Sequence, residues 1–240
     1  MTAALRIAVL APDVLDSNGD AANARVLAAR ARWSGLAAET VALDSVDDFA
    51  VRPDVLVAGT GAEEDLPAVL ELLRAVRTRL VEWVAEGTEV VAVGAGWELL
   101  AESFATDGGV VEGISLFPGR SVQAERVTGD LVVASGLGVL VGFENHTRRF
   151  EGIAPELALG PVLHGVGDGG SEGYLSGGLL GTHLHGPVLA KNPVLADAVL
   201  GRVADRHGLT YAPTAELTRQ ADETARAARE MIAKRLGVGR

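Results

Sequence analysis

Four short segments of this chain combine polar side chains with glycine in the way that reactive sites do. In Gly181-Thr182-His183-Leu184-His185-Gly186-Pro187 a histidine stands just past an apolar strand, in a loop whose path Gly and Pro fix. His185 could there act as a general base toward a crevice at the sheet rim, or simply bond to backbone. His183, two residues earlier, faces the same side of an extended segment, but no third ligand has the spacing of a metal site, so no metal is expected. Gly142-Phe143-Glu144-Asn145-His146 is a compact polar turn after an apolar strand. Glu144 and Asn145 could hold a substrate, or Asn145 could satisfy the turn's own backbone.

The third segment is a turn built for a nucleophile. Glu89 to Val93 reads as a buried strand, Gly94-Ala95-Gly96 as a turn of small residues, and Trp97-Glu98-Leu99-Leu100 as the opening of a helix. Small residues around such a bend let the backbone hold one side chain above the strand ends. Gly94 has no side chain to present. The chain has no cysteine, which excludes thiol chemistry, and no serine in a Gly-x-Ser-x-Gly context, so a serine hydrolase is unsupported. The fourth segment, Gly59-Thr60-Gly61, is a small-residue loop beyond the strand Asp54–Ala58.

Two further segments have simpler readings. Gly165-Val166-Gly167-Asp168-Gly169-Gly170 lacks the strand-to-helix setting and the Lys of a phosphate loop, and reads as a flexible hairpin tip. Asn18-Gly19-Asp20 reads as a turn, with Asp20 capping a helix from about Ala21 to Trp33 that Ser34-Gly35 ends.

The elements that position these residues alternate. Strands are expected at Leu5–Leu10, Ala38–Leu43, Asp54–Ala58 and Glu89–Val93, with a long helix from Leu66 to Ala85. Near-continuous apolar strands alternating with helices imply a mostly parallel sheet covered on both faces, whose ligand crevice lies at the C-terminal strand ends. From about Gly108 to Gly181 glycine is frequent, and alternation such as Leu131 to Val141 points to antiparallel hairpins. A final unit follows: a strand at Leu179–His183, then a helix opened by an Asn192 cap and Pro193. Residues 1–208 form one α/β domain in this reading. Residues 209–240 are an extension whose polar, Ala-rich stretch Thr214–Leu236 makes an extra helix, lying on the surface or against a partner.

With 48% apolar and 22% charged residues the chain is globular, and its net charge of -11 argues against nucleic acid as a partner. No apolar run approaches the roughly 20 residues that cross a bilayer, and no leader-like start is evident, so a cytoplasmic protein is expected.

In order and spacing, the Asn18-Gly19-Asp20…Asn23 helix entry, Gly142–His146, His185-Gly186-Pro187 and Lys191-Asn192-Pro193…Asp197 resemble the class I glutamine amidotransferases of the CobB/CobQ type, most of all the GatD-type glutaminase subunits. The resemblance runs from about Leu5 to His207 and implies a flavodoxin-like domain with no cofactor. It also implies a MurT-like Mur ligase as partner in amidating the peptidoglycan precursor lipid II. It places the family's nucleophilic Cys at Gly94, its His at His185 and its oxyanion loop at Gly59–Gly61. Glu98 stands where the family has Gln, and as a negative charge it is expected to oppose oxyanion stabilisation. The expectation is a subunit that has lost glutaminase activity. Two alternatives are a module that binds glutamine or a related amino acid without hydrolysis, in a crevice of Gly59–Gly61, Glu144, Asn145 and His185, and a glutaminase using His185, Glu98 or Glu144 on water.

Overall fold

In a computed structural model, which describes residues 4–238, the first ninety residues build a parallel sheet. Its strands are β1 (Leu5–Leu10), β2 (Ala38–Leu43), β3 (Val55–Ala58) and β4 (Glu89–Val93), joined late by β11 (Tyr174–Ser176) and β12 (Leu179–Thr182). The order is β11-β12-β4-β3-β1-β2, parallel throughout except for the edge strand β11. Each central strand is buried on both faces, which is why its sequence is an unbroken apolar run. Successive residues go to opposite sides. Leu56, Ala58, Val90 and Ala92 pack under α2 (Leu66–Ala85), while Val55, Val57, Val91 and Val93 pack against α1 (Ala22–Trp33) and α5 (Pro193–Arg206).

The chain goes from β1 outward to β2, then returns to lay β3 on the other side of β1. At such a reversal the loops leaving neighbouring strands diverge and open a crevice above their C-terminal ends. The loops after β1 and β3 meet there, beside the bend after β4 that leads into the short helix α3 (Ala95–Leu100). At Gly59 the approach is so close that a Cβ would overlap the Leu15 carbonyl and sit 2.8 Å from the Asp20 Cβ.

The glycine-rich middle of the chain is a second sheet, ordered β10-β9-β7-β5-β6 with β8 paired to β7. Its strands are β5 (Ser103–Thr106), β6 (Gly109–Glu112), β7 (Arg120–Ser135), β8 (Gly138–Glu151), β9 (Gly160–His164) and β10 (Ser171–Glu172). The alternation at Leu131–Val141 belongs to a much longer antiparallel ribbon, 16 residues in β7 and 14 in β8. The Gly165–Gly170 segment is the loop between β9 and β10, but its centre is fixed. The amides of Val166 and Gly167 donate to Glu144 at 2.8 and 2.9 Å, and the Asp168 carboxylate accepts from the amides of Phe150 and Gly173.

Two capping expectations are corrected. Asp20 makes no cap to α1, which begins one residue later than expected, at Ala22 after Ala21. Asn192 makes no side-chain cap to α5. Its amide instead bridges to β8, accepting from the Val141 amide and donating to the Val141 carbonyl, both at 2.9 Å, with a further bond from its Nδ2 to Val188 O through α4 (Val188–Lys191). The last helix, α6 (Glu216–Leu236), lies on α1 and α4 rather than free of them. Buried Arg30 forks onto Asp197 at 2.8 Å and reaches Asp222 of α6 at 2.6 Å, and Arg229 of α6 holds the Lys191 carbonyl at 2.5 Å. Among the described residues no helix is long and apolar enough to cross a membrane.

Candidate functional site

The bend after β4 is an elbow in its torsions. Gly94 sits at φ 54°, ψ -122°, a conformation closed to most side-chain-bearing residues and costing about 1–3 kcal/mol when one is held there. The amide of Gly94 donates to Thr182 O of β12 at 2.9 Å, and its carbonyl receives the amides of Trp97 and Glu98, so neighbours on both sides hold the strained turn.

His185 comes to this turn from the far end of the chain. It leaves β12 in the Gly186-Pro187 loop and pairs through backbone with Phe143 of β8. Its ring is fully buried, and a Cβ built on Gly94 would lie 2.9 Å from its Cε1 and 3.4 Å from its Nε2. That Nε2 has no hydrogen-bond partner. The other ring nitrogen, Nδ1, is 3.0 Å from Asp20 Oδ2 and 3.3 Å from Asn18 Nδ2. An imidazole fixed by a buried carboxylate with its free nitrogen directed at the bend is the geometry of a general base. Asp20 is the member that sequence reasoning missed. The available signal was its place at the sheet's switch point, beyond the end of β1.

Above the turn opens a cleft of about 210 Å³ lined by Ser17, Asn18, Thr60, Gly61, Gly94 and Ala95 on one side. Glu63, Glu98, Arg126, Asn145, His146, Thr147, Arg148 and His183 complete it. Thr60 lies against the bend itself, its hydroxyl donating to Val93 O at 3.1 Å and accepting from the Ala95 amide at 3.3 Å. Gly61 is on the rim, and Gly59 is packed beneath against Leu15 and Asp20. Asn145 accepts from Arg126 at 2.9 Å on the open side of the cleft.

The two glutamates are placed otherwise than expected. Glu98 is buried, but its carboxylate is fully engaged: Arg148 donates from Nε and Nη2 at 2.8 Å each, and Ser121 Oγ donates at 2.9 Å. It is therefore no free negative charge facing a developing oxyanion; a bidentate guanidinium neutralises it. Arg148 also reaches Glu63 at 3.2 Å and the Ala105 carbonyl at 3.1 Å. Burial lowers its pKa, but Glu98 and Glu63 more than offset this and hold the guanidinium above its usual value. Arg148, near the C-terminal end of β8, is the second residue that sequence reasoning missed. Glu144 does not line the cleft. Its oxygens take His146 Nε2 at 3.1 Å and the amides of Val166 and Gly167. Burial raises its pKa, and the His146 bond followed by the two amides outweighs that, leaving it below the ordinary carboxylate value. With their oxygens so occupied, neither glutamate is placed to activate water.

His183 is fully buried beneath the cleft, stacked on His146 with ring centroids 4.2 Å apart and with Nε2 3.2 Å from Asp168 Oδ1. Among the described residues no group of three or more His, Asp or Glu side chains is arranged to hold a metal.

Residues 6–193 match the CobB/CobQ-like glutamine amidotransferase domain. Over 209 residues the chain is 29% identical to the subunit GatD of lipid II isoglutaminyl synthase (glutamine-hydrolyzing) from Staphylococcus aureus (strain N315), covering 84% of this chain and 85% of that protein. It is 25% identical over 201 residues to the subunit of the same name from Streptococcus pneumoniae (strain ATCC BAA-255 / R6), covering 80% and 77%. In fold it is similar to a crystal structure of a glutamine amidotransferase, with a TM-score of 0.52 at 18% identity over 85% of this chain and 99% of the other.

Proposed function

Since the chain belongs to the CobB/CobQ-like glutamine amidotransferase family, we propose that it is a GatD-like subunit that no longer hydrolyses glutamine. In this reading it serves in the cytoplasm as the non-catalytic partner of a MurT-like Mur ligase in lipid II amidation. The observation that carries the reading is Gly94: the elbow torsion is kept, His185 Nε2 is directed at it, and no side chain is there to attack. Amide hydrolysis by covalent catalysis needs a nucleophile that forms an acyl intermediate, and a hydrogen atom forms none. In a measured serine protease, loss of the nucleophile costs about 10⁶ in kcat. The likeness to two GatD subunits over four fifths of the chain supports the subunit role.

The test is co-purification followed by an ammonia-release assay. The expected result is a stable complex with a Mur-ligase-like protein that amidates with free ammonia and releases none from glutamine. Glutamine-dependent ammonia release abolished by His185→Ala would overturn the loss of activity, and a chain that never captures such a ligase would overturn the role.

The cleft favours a second reading. About 210 Å³ is below the roughly 300–1,000 Å³ of sites for drug-sized ligands, and its lining offers Arg126 and Arg148 beside Glu63 and Asn145. This mixed-charge wall suits an amino acid such as glutamine, bound and not turned over. Calorimetry with glutamine, glutamate and isoglutamine separates the two readings, and absence of heat from all three removes this one.

A further inference from the structure

We propose that Thr60 is a plug that occupies the place of the missing nucleophile, so that the reacting corner is closed by two residues rather than by the loss of one. This rests on position 94 being the nucleophile's seat. A Cβ built on Gly94 would overlap the Thr60 hydroxyl. The overlap is a consequence of where that hydroxyl is bonded. It donates to Val93 O on one side of the bend and accepts from the Ala95 amide on the other, stapling the turn across Gly94. The Ala95 amide belongs to the residue after the elbow position, where such sites take one of their oxyanion donors. The Thr60 hydroxyl therefore fills the nucleophile's volume and engages an oxyanion donor at once.

Thr60 does not replace the nucleophile. Its proton is directed to Val93 O and a lone pair to the Ala95 amide, while His185 Nε2 has no hydrogen-bond partner. A glycine at 94 without the plug would leave a small void beside a buried, unpartnered imidazole nitrogen; the threonine fills that void. A threonine at 60 can face a larger residue at 94 only by turning its hydroxyl out of both bonds. Each residue thus makes the other tolerable, and restoring a thiol alone does not reopen the site.

The experiment is a pair of mutant cycles. In the first, Gly94→Ala adds only the Cβ. It should lower Tm by roughly 5–10 °C through overlap and backbone strain. Thr60→Ala in the same chain should recover about half of that drop, leaving the torsional part, whereas Thr60→Ser, which keeps the hydroxyl, should recover none. Additive shifts across the Ala cycle, or equal rescue by Ser and Ala, would overturn the plug. In the second, Gly94→Cys and Thr60→Ala/Gly94→Cys are treated with a glutamine-mimicking diazo-ketone and the adduct is located by mass spectrometry. The double variant should be labelled at position 94 at least ~10-fold faster than the single one, with His185→Ala removing the difference. Equal rates in the two variants, or an adduct on Thr60 of the unaltered chain, would overturn the proposal. Coupled melting with no labelling of the double variant would leave the plug standing and count instead against position 94 as the nucleophile's seat.

Discussion

The bend after β4 is flanked by two walls that differ in their bonding. On one, His185 and Asp20 are both fully buried, and each has an unpartnered polar atom, His185 Nε2 and Asp20 Oδ1. On the other, Glu98, Arg148, Ser121 and Glu63 form a network in which both Glu98 oxygens are taken. Buried polar atoms without partners cost stability, and native proteins tolerate few of them. The first wall keeps a free imidazole nitrogen beside the bend; the Glu98–Arg148 network on the second is satisfied within itself.

The sharpest way to break this contrast is at Arg148. Arg148→Met leaves the Glu98 carboxylate buried without its guanidinium, and unfolding in denaturant should show a loss of about 3–5 kcal/mol. Glu98→Leu in the same chain should return most of it, since an apolar pair can replace a buried ion pair at little cost. A loss no larger than that of Asp20→Ala would erase the difference between the walls. Asp20→Ala, on the retained wall, should cost about 1–3 kcal/mol in the same measurement, because one buried nitrogen of His185 loses its strongest acceptor.

The smallest effect lies beneath both walls. Glu172 is fully buried, its Oε2 has no partner, and burial followed by the neighbouring Asp168 pushes its pKa well above the ordinary carboxylate value. The folded state then holds a proton that the unfolded chain releases, so this group's contribution to stability is fully present below its unfolded pKa and is lost as pH rises through the folded one. Glu172→Gln cannot ionise and should flatten the alkaline side of a stability-against-pH profile. An unchanged profile would mean that another group carries the proton.

How much of this could be read beforehand follows from the range of the forces involved. The strands Leu5–Leu10 and Ala38–Leu43 and the helix Leu66–Ala85 carry their own periodicity, and their ends fall where the sequence puts them. The outer half of the β7–β8 ribbon does not. Gln123 and Gly129 are paired to the neighbour strand without packing on a core, and Glu125 and Arg126 fall in the register shift between Gln123 and Val127, so the arm lacks apolar alternation. The geometry around the bend was legible where loop chemistry is local, at Gly94 and His185, which the structure brings together. It was hidden where a side chain's partner is remote. Asp20 looked like a cap because a cap is the nearest use for an aspartate before a helix; its actual partner is 165 positions away. Glu98 looked like a bare charge because nothing near it in sequence announces Arg148, 50 positions on.

Trp97, three residues past the bend, has a consequence of a more practical kind. Its indole is wholly shielded from water, its Nε1 is unpaired, and it lies flat on Phe150 at 3.5 Å with His183 5.5 Å away. Fluorescence from an indole in such dry surroundings is blue-shifted and moves toward the red once solvent enters. With Trp33 and Trp83 replaced by phenylalanine, the emission colour of the protein becomes a running gauge of whether the turn is shut, readable in a cuvette without any added dye.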